Sequence, residues 1–185
     1  MNMSDYAFMC SCRVGMDSSL DTKYEQKELY LPEEGDIDAY LKWIYAQHGE
    51  EFFAGDKCVL KSARAGEFYS DENISVTAIP TRHLKRGVSY AYMLEHSGKR
   101  VLFTGDLSAD FSDFPEICEK SEFDAIICEL THYDVKNALG KLNAAKAKKI
   151  IFNHIRDDKA AELENLRDKI KFDFILAYDG CIFEV

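Results

Sequence analysis

No apolar run in the chain approaches the roughly 18 residues that a membrane-spanning helix requires, which excludes a helical membrane protein. No basic stretch followed by a long apolar one opens it, so no secretory leader is expected. Positive charge is also short. Lys and Arg number 23 against 33 Asp and Glu, a formal net charge of −10, which opposes nucleic-acid binding by bulk electrostatics while leaving a small local basic site open. Cysteine occurs six times but never as CxxC, and Cys10, Cys12, Cys58, Cys118, Cys128 and Cys181 have no regular spacing. That argues against a disulfide framework and predicts reduced, mostly buried thiols in the cytoplasm. Only Cys10-Ser11-Cys12 has the form of a metal pair. Internal repeats and low-complexity linkers are missing as well. What remains is a 185-residue chain, 46% hydrophobic and 12% aromatic, enough for one domain with a substantial core.

Residues 1–35 have no clear period and read as an extended arm or short irregular elements, so the regular fold is expected over 36–185. Ile37, Tyr40, Leu41, Ile44 and Tyr45 form the stripe of an amphipathic helix, with Asp36 as its N-cap and Gly49 as its stop. From Lys57 the pattern changes to strands: Cys58–Leu60, then Ile74–Ile79 ending at Pro80. Ser89–Glu95 and Lys99–Phe103 flank Ser97-Gly98, a hairpin signal. Strands and helices then alternate. Helices are expected near 112–120, 138–147 and 158–170, and strands at 125–128, 149–152, 174–177 and 181–185. Such alternation predicts a layered α/β sheet with outer helices.

In layered α/β folds ligands collect beyond strand ends, and four polar clusters fall there: "IPTRH" with His83, "LFTGD" with Asp106, "IICELTH" with Glu129 and His132, and "IFNH" with Asn153 and His154. A lone strand-end histidine is usually structural, and a lone strand-end aspartate is usually a turn or cap. Asp110 and Asp113 fit that plainer role, and Tyr90 and Tyr92 fit core or interface. The ordered set of His and carboxylate groups is what a zinc, iron or manganese site needs. A phosphotransfer role for Asp106 fits less well, because a hairpin precedes it where an all-parallel sheet would be expected.

The order strand-His, strand-Gly-Asp, strand-Asn-His, closing on "LAYDGCIFEV", resembles the second half of the metallo-β-lactamase superfamily over roughly residues 57–185. The resemblance implies a partial αββα sandwich: α/β, with mixed sheets, outer helices and a metal site at one sheet edge. It implies His83 and His154 as ligands of zinc or manganese, one for each of two ions, and Asp106 as bridging ligand and catalytic centre. By their positions Glu129, His132 and Asn153 read as orienting neighbours, with His132 or Glu129 also open as a helping ligand. The chemistry implied is hydrolysis of a phosphodiester or another ester by metal-activated water.

The family's HxHxDH element is not in this sequence, where His48 is the only histidine before His83. The metal site is therefore expected to be incomplete, and two outcomes follow: a hydrolase-like protein, or an inactive truncated remnant serving as an interaction or regulatory module. Missing strands would also leave a bare sheet edge, so a homo-oligomer that covers it is expected.

Overall fold

The computed structural model of the protein describes residues 27–32, 34–48, 58–85 and 87–184. The Cys10/Cys12 pair, Gly49 and the arm before residue 27 lie outside them. Two compact units divide the chain, residues 1–63 and 64–185.

The first unit contains strand β1 (Lys27–Leu31), helix α1 (Glu34–His48) and strand β2 (Cys58–Ser62). β1 and β2 pair in parallel, from Lys27 opposite Cys58 to Leu31 opposite Ser62. β1 occupies the end of the segment expected to be an irregular arm. Helix α1 begins before Asp36, which therefore lies within it and is not its N-cap. Pro32 ends the strand, and the acidic run behind it is of the type favoured in a first helical turn. The apolar stripe has the expected face: Tyr40 and Ile44 are buried with Leu31, and Ile37, Tyr45, Leu29 and Leu60 pack against them.

The second unit is a seven-stranded mixed sheet in the order β3 (Gly66–Ser70), β4 (Ile74–Thr81), β5 (Ser89–His96), β6 (Lys99–Phe103), β7 (Ala125–Leu130), β8 (Ile150–Ile155), β9 (Phe174–Leu176). The first four strands are antiparallel, and β6 to β9 are parallel. Consequently β4, β6, β7 and β8 all end at the same edge. Ser97 and Gly98 both have positive φ, 50° and 75°, and make the hairpin turn the sequence promised.

Helices α2 (Ile117–Lys120), α3 (Val135–Ala144) and α4 (Asp157–Asn165) lie on one face. Cys118, Val135, Ala138, Leu142 and Leu163 join Met93, Leu102, Ile126, Cys128, Ile150 and Phe152 in one core cluster. Each fully buried Val, Leu, Ile or Phe among them contributes about 1.5–3 kcal/mol, so the strands that carry the polar clusters are held by the larger core of the described residues. Among the described residues no helix is long and apolar enough to cross a membrane.

Several expectations change: the strand expected to end at Pro80 runs on to Thr81, and the helix expected over 158–170 ends at Asn165. β3 was not foreseen, because "GEFYS" is short and its pairing with β4 contains a register shift. The helix expected near 112–120 shrinks to α2, since Asp110 and Asp113 engage the backbone and hydroxyl groups around them and Phe111 takes a left-handed φ of 55°. Helix α3 starts earlier than expected, where the Asp134 carboxylate caps it by accepting from Lys136 N. Residues 181–184 form no strand; Lys149 Nζ donates to the Glu184 carbonyl at 2.7 Å instead.

Candidate metal centre

The edge where β4, β6, β7 and β8 end gathers every candidate side chain except that of Asn153. Thr104 closes β6: its N–H donates to Ile127 O at 2.9 Å, and its hydroxyl, fully buried, donates to Gly105 O and accepts from Glu129 N. Gly105 turns the chain at φ 59°, where an added Cβ would stand 3.1 Å from Tyr90 O. A side chain there would be strained and would crowd Tyr90 O, so glycine suits the turn, and the turn delivers Asp106 to the edge.

Asp106 meets two histidines. Its Oδ1 lies 2.9 Å from His154 Nδ1, and its Oδ2 lies 3.8 Å from His83 Nε2. The third histidine, His132, is between them, with ring centroids 4.6 Å from His83 and 5.2 Å from His154. The partners of these rings fix their tautomers, because each is an acceptor without a proton to give. His83 Nδ1 donates to Leu107 O at 3.0 Å, His132 Nδ1 to Glu129 Oε1 at 3.1 Å, and His154 Nδ1 to Asp106. In each neutral ring Nε2 then carries the lone pair that a metal ion requires.

Glu129 organises this edge from inside. Its side chain is 2% exposed, and its two oxygens accept from Leu107 N at 2.8 Å, Thr131 N at 2.8 Å, His132 N at 3.0 Å and His132 Nδ1. Leu107 N belongs to the Asp106 loop and His132 to the loop after β7, so one buried carboxylate sets the spacing of both. With four donors upon it, Glu129 orients ligands and has little capacity left to be one.

His154 reaches the cluster through a β-bulge. Asn153 pairs with Glu129 and Ile155 with Leu130, which leaves His154 as the extra residue on β8, at a left-handed φ of 45°. The Thr131 hydroxyl donates to the His154 carbonyl and secures the bulge. Asn153 is exposed and makes no side-chain hydrogen bond to a described member of the cluster, so the orienting role expected for it has no contact to act through.

A further loop ties Asp106 to His83. Asp113 accepts from Ser108 N at 3.0 Å, from the Ser108 hydroxyl at 2.6 Å and from Arg82 N at 2.6 Å. Burial pushes the Asp113 carboxyl up, and these bonds overcome it and hold the group below its ordinary value. Hydrogen bonds from Ser112 and Ser108 likewise hold Asp110 well below the usual carboxylate range.

Two sets of three residues bring one ligand atom each within 4.8 Å of one another: His83, Asp106 and His132, and Glu129, His132 and His154. Because Glu129 is saturated, the first set is the better fit to an ion. Two imidazoles and a carboxylate suit a single zinc or manganese ion and leave coordination positions for water.

No family model matches the chain, and no curated protein matches it in sequence. Solved structures do. A metallo-β-lactamase fold protein from Bacillus subtilis, YhfI, superposes with a TM-score of 0.66 at 15% identity, covering 97% of this chain and 70% of its own. Zn(2+)-bound PqqB from Methylobacterium extorquens gives 0.58 at 13% identity, over 85% and 64%. The short form of human tRNase Z gives 0.57 at 16% identity, over 85% and 66%. The chain thus spans about two thirds of the length of these proteins. Identities this low establish architecture and nothing finer, and the architecture they establish is a partial metallo-β-lactamase fold.

Proposed function

We propose that the chain holds one divalent cation, zinc or manganese, on His83, Asp106 and His132, and that it hydrolyses a phosphodiester or related ester there. The observation that carries this reading is the convergence of three tautomer-fixed imidazoles and Asp106 on one sheet edge. His154, which the family resemblance makes a ligand, holds Asp106 Oδ1 in this arrangement and leaves Oδ2 directed toward His83. Glu129 keeps His132 and the Asp106 loop in register, so the ligands need little rearrangement on binding. A cation bound here would supply the acidity that makes hydroxide from a coordinated water near neutral pH. The Zn(2+)-bound form of PqqB and the name tRNase Z, among proteins of the same fold, support the metal and the phosphodiester.

Metal analysis of protein purified without chelators, paired with turnover of bis(4-nitrophenyl) phosphate, tests it. About one zinc or manganese per chain and turnover lost in Asp106→Ala are expected; absence of stoichiometric metal overturns the reading. The missing HxHxDH favours a second reading, an inactive remnant acting as an interaction module. Stoichiometric metal without turnover is the result that selects it.

Among the described residues, β3 and β9 each pair on one side only. We extend the proposal to a homo-oligomer that covers one of these edges; a single monomeric species in light scattering would remove that part. The free thiols of Cys118, Cys128 and Cys181 suit the reducing cytoplasm.

A further inference from the structure

A cavity of about 610 Å³ opens beside the His83 loop, between the apolar Ile79-Pro80 and 114–117 stretches, with Arg82, Asp113 and Glu116 also on its lining. Its size lies within the range of small-molecule sites, roughly 300–1,000 Å³. Its walls belong to the two segments that also position the metal ligands. One wall is the end of β4, which continues directly into His83. The other is the 112–117 segment, where Asp113 accepts from Ser108 of the Asp106 loop and from Arg82 N of the first wall. Lys141 fixes that second wall from behind, donating to Phe111 O at 3.1 Å and Ser112 O at 3.0 Å. A bound molecule therefore meets a preformed surface.

The polar groups at the cavity differ in how far they are committed. Asp113 is occupied by Ser108 and Arg82 N, and Glu116 pairs with Lys120 at 2.7 Å. Arg82 is exposed and gives one guanidinium N–H to the Ser112 hydroxyl, which leaves most of its five donors for another acceptor. With both carboxylates held by their own partners, the apolar walls and the Arg82 guanidinium are the groups left to meet a ligand, one with an apolar body and an anionic head.

We infer that this cavity binds the apolar or aromatic substituent of an anionic ester, with Arg82 taking the negative charge of the head group. The inference deepens the hydrolytic reading by naming a substrate class. It rests on that reading for the reaction, though not for the binding.

The test uses diphenyl phosphate, an unreactive aryl diester, titrated into metal-free protein and followed by backbone amide NMR; dimethyl phosphate is the control without the apolar body. Saturable shifts at 79–82 and 112–117 are expected, with dimethyl phosphate at least about tenfold weaker and Arg82→Gln weakened by about tenfold. Glu116→Trp, which fills the cavity from an exposed position, should abolish the shifts while leaving zinc affinity unchanged. Equal binding of dimethyl phosphate, or binding undiminished by both variants, overturns the inference. Cavity-dependent binding without metal-stimulated turnover removes the hydrolytic reading alone. Turnover of bis(4-nitrophenyl) phosphate that Glu116→Trp leaves unaltered removes this inference alone.

Discussion

Asp106 and Asp124 stand at opposite edges of the same sheet, the first just past the end of β6 and the second just before the start of β7. Asp124 meets two ammonium groups, Lys148 Nζ at 2.7 Å and Lys99 Nζ at 3.3 Å, and accepts the Arg100 backbone N–H at 2.9 Å. Its charge is answered by groups that can do nothing else with it, and it ties β6 to β7. Among the described residues Asp106 is met by imidazoles: His154 donates its Nδ1–H to Oδ1, while Oδ2 faces His83 Nε2, whose ring carries its hydrogen on the other nitrogen. A carboxylate oxygen left facing a lone pair is a site for a cation from solution; a carboxylate answered by ammonium groups is a clasp. The difference lies in the partners, since each residue is an aspartate at a strand end.

The largest effect should come from exchanging the two. Asp106→Ala is expected to weaken zinc binding by at least about 100-fold, the upper end of what the loss of a mere orienting partner costs. Asp124→Ala should leave that affinity unaltered, and isothermal titration of the two variants compares them directly. Equal losses in both would end the distinction between site and clasp.

Next in size is Glu129→Gln. The amide keeps the shape but turns an N–H₂ group toward donors such as Leu107 N or His132 N, leaving buried donors unpaired. We expect about 10–100-fold weaker metal binding and a stability loss of about 1–3 kcal/mol, read by titration and by urea unfolding. A smaller effect is expected from Gly105→Ala. The left-handed backbone and the contact with Tyr90 O predict a loss of roughly 1–2 kcal/mol in urea unfolding.

These residues also separate what sequence alone discloses from what it hides. His83 and Asp106 were legible because Gly105 follows the end of β6 and Pro80 lies one residue short of the end of β4, which runs on to Thr81, and a strand end in an α/β sheet is a place for ligands. His154 was legible as a residue but not as a geometry, for a bulge has no composition of its own and depends on the pairing of Glu129 and Leu130 across β7. Glu129 was visible as a carboxylate, yet one of its four bonds comes from Leu107 in another loop, a relation that only folding creates. The 112–117 segment misled for the opposite reason. Its residues suit a helix locally, and the bonds that prevent most of one run to Ser108 and Arg82.

The smallest expected effect belongs to Asp124 and concerns acid. The bond from Lys148, with that from Arg100 N and against some opposing desolvation, holds its carboxyl well below the ordinary value of 3.8. A depressed folded-state value means stability that is fully present above the unfolded value and is lost as pH falls through the folded one. Wild-type protein should therefore lose part of its thermal stability as pH drops below about 4, and Asp124→Asn, already lacking that contribution, should lose less over the same window. Because Lys99 and Lys148 are more than half exposed, with side-chain exposures of 51% and 71%, added salt should shrink the gap between the two proteins. Melting curves at pH 3 to 7 in low and high salt measure it. A gap that widened with salt would mean that Asp124 acts through packing, and the clasp would then no longer be electrostatic.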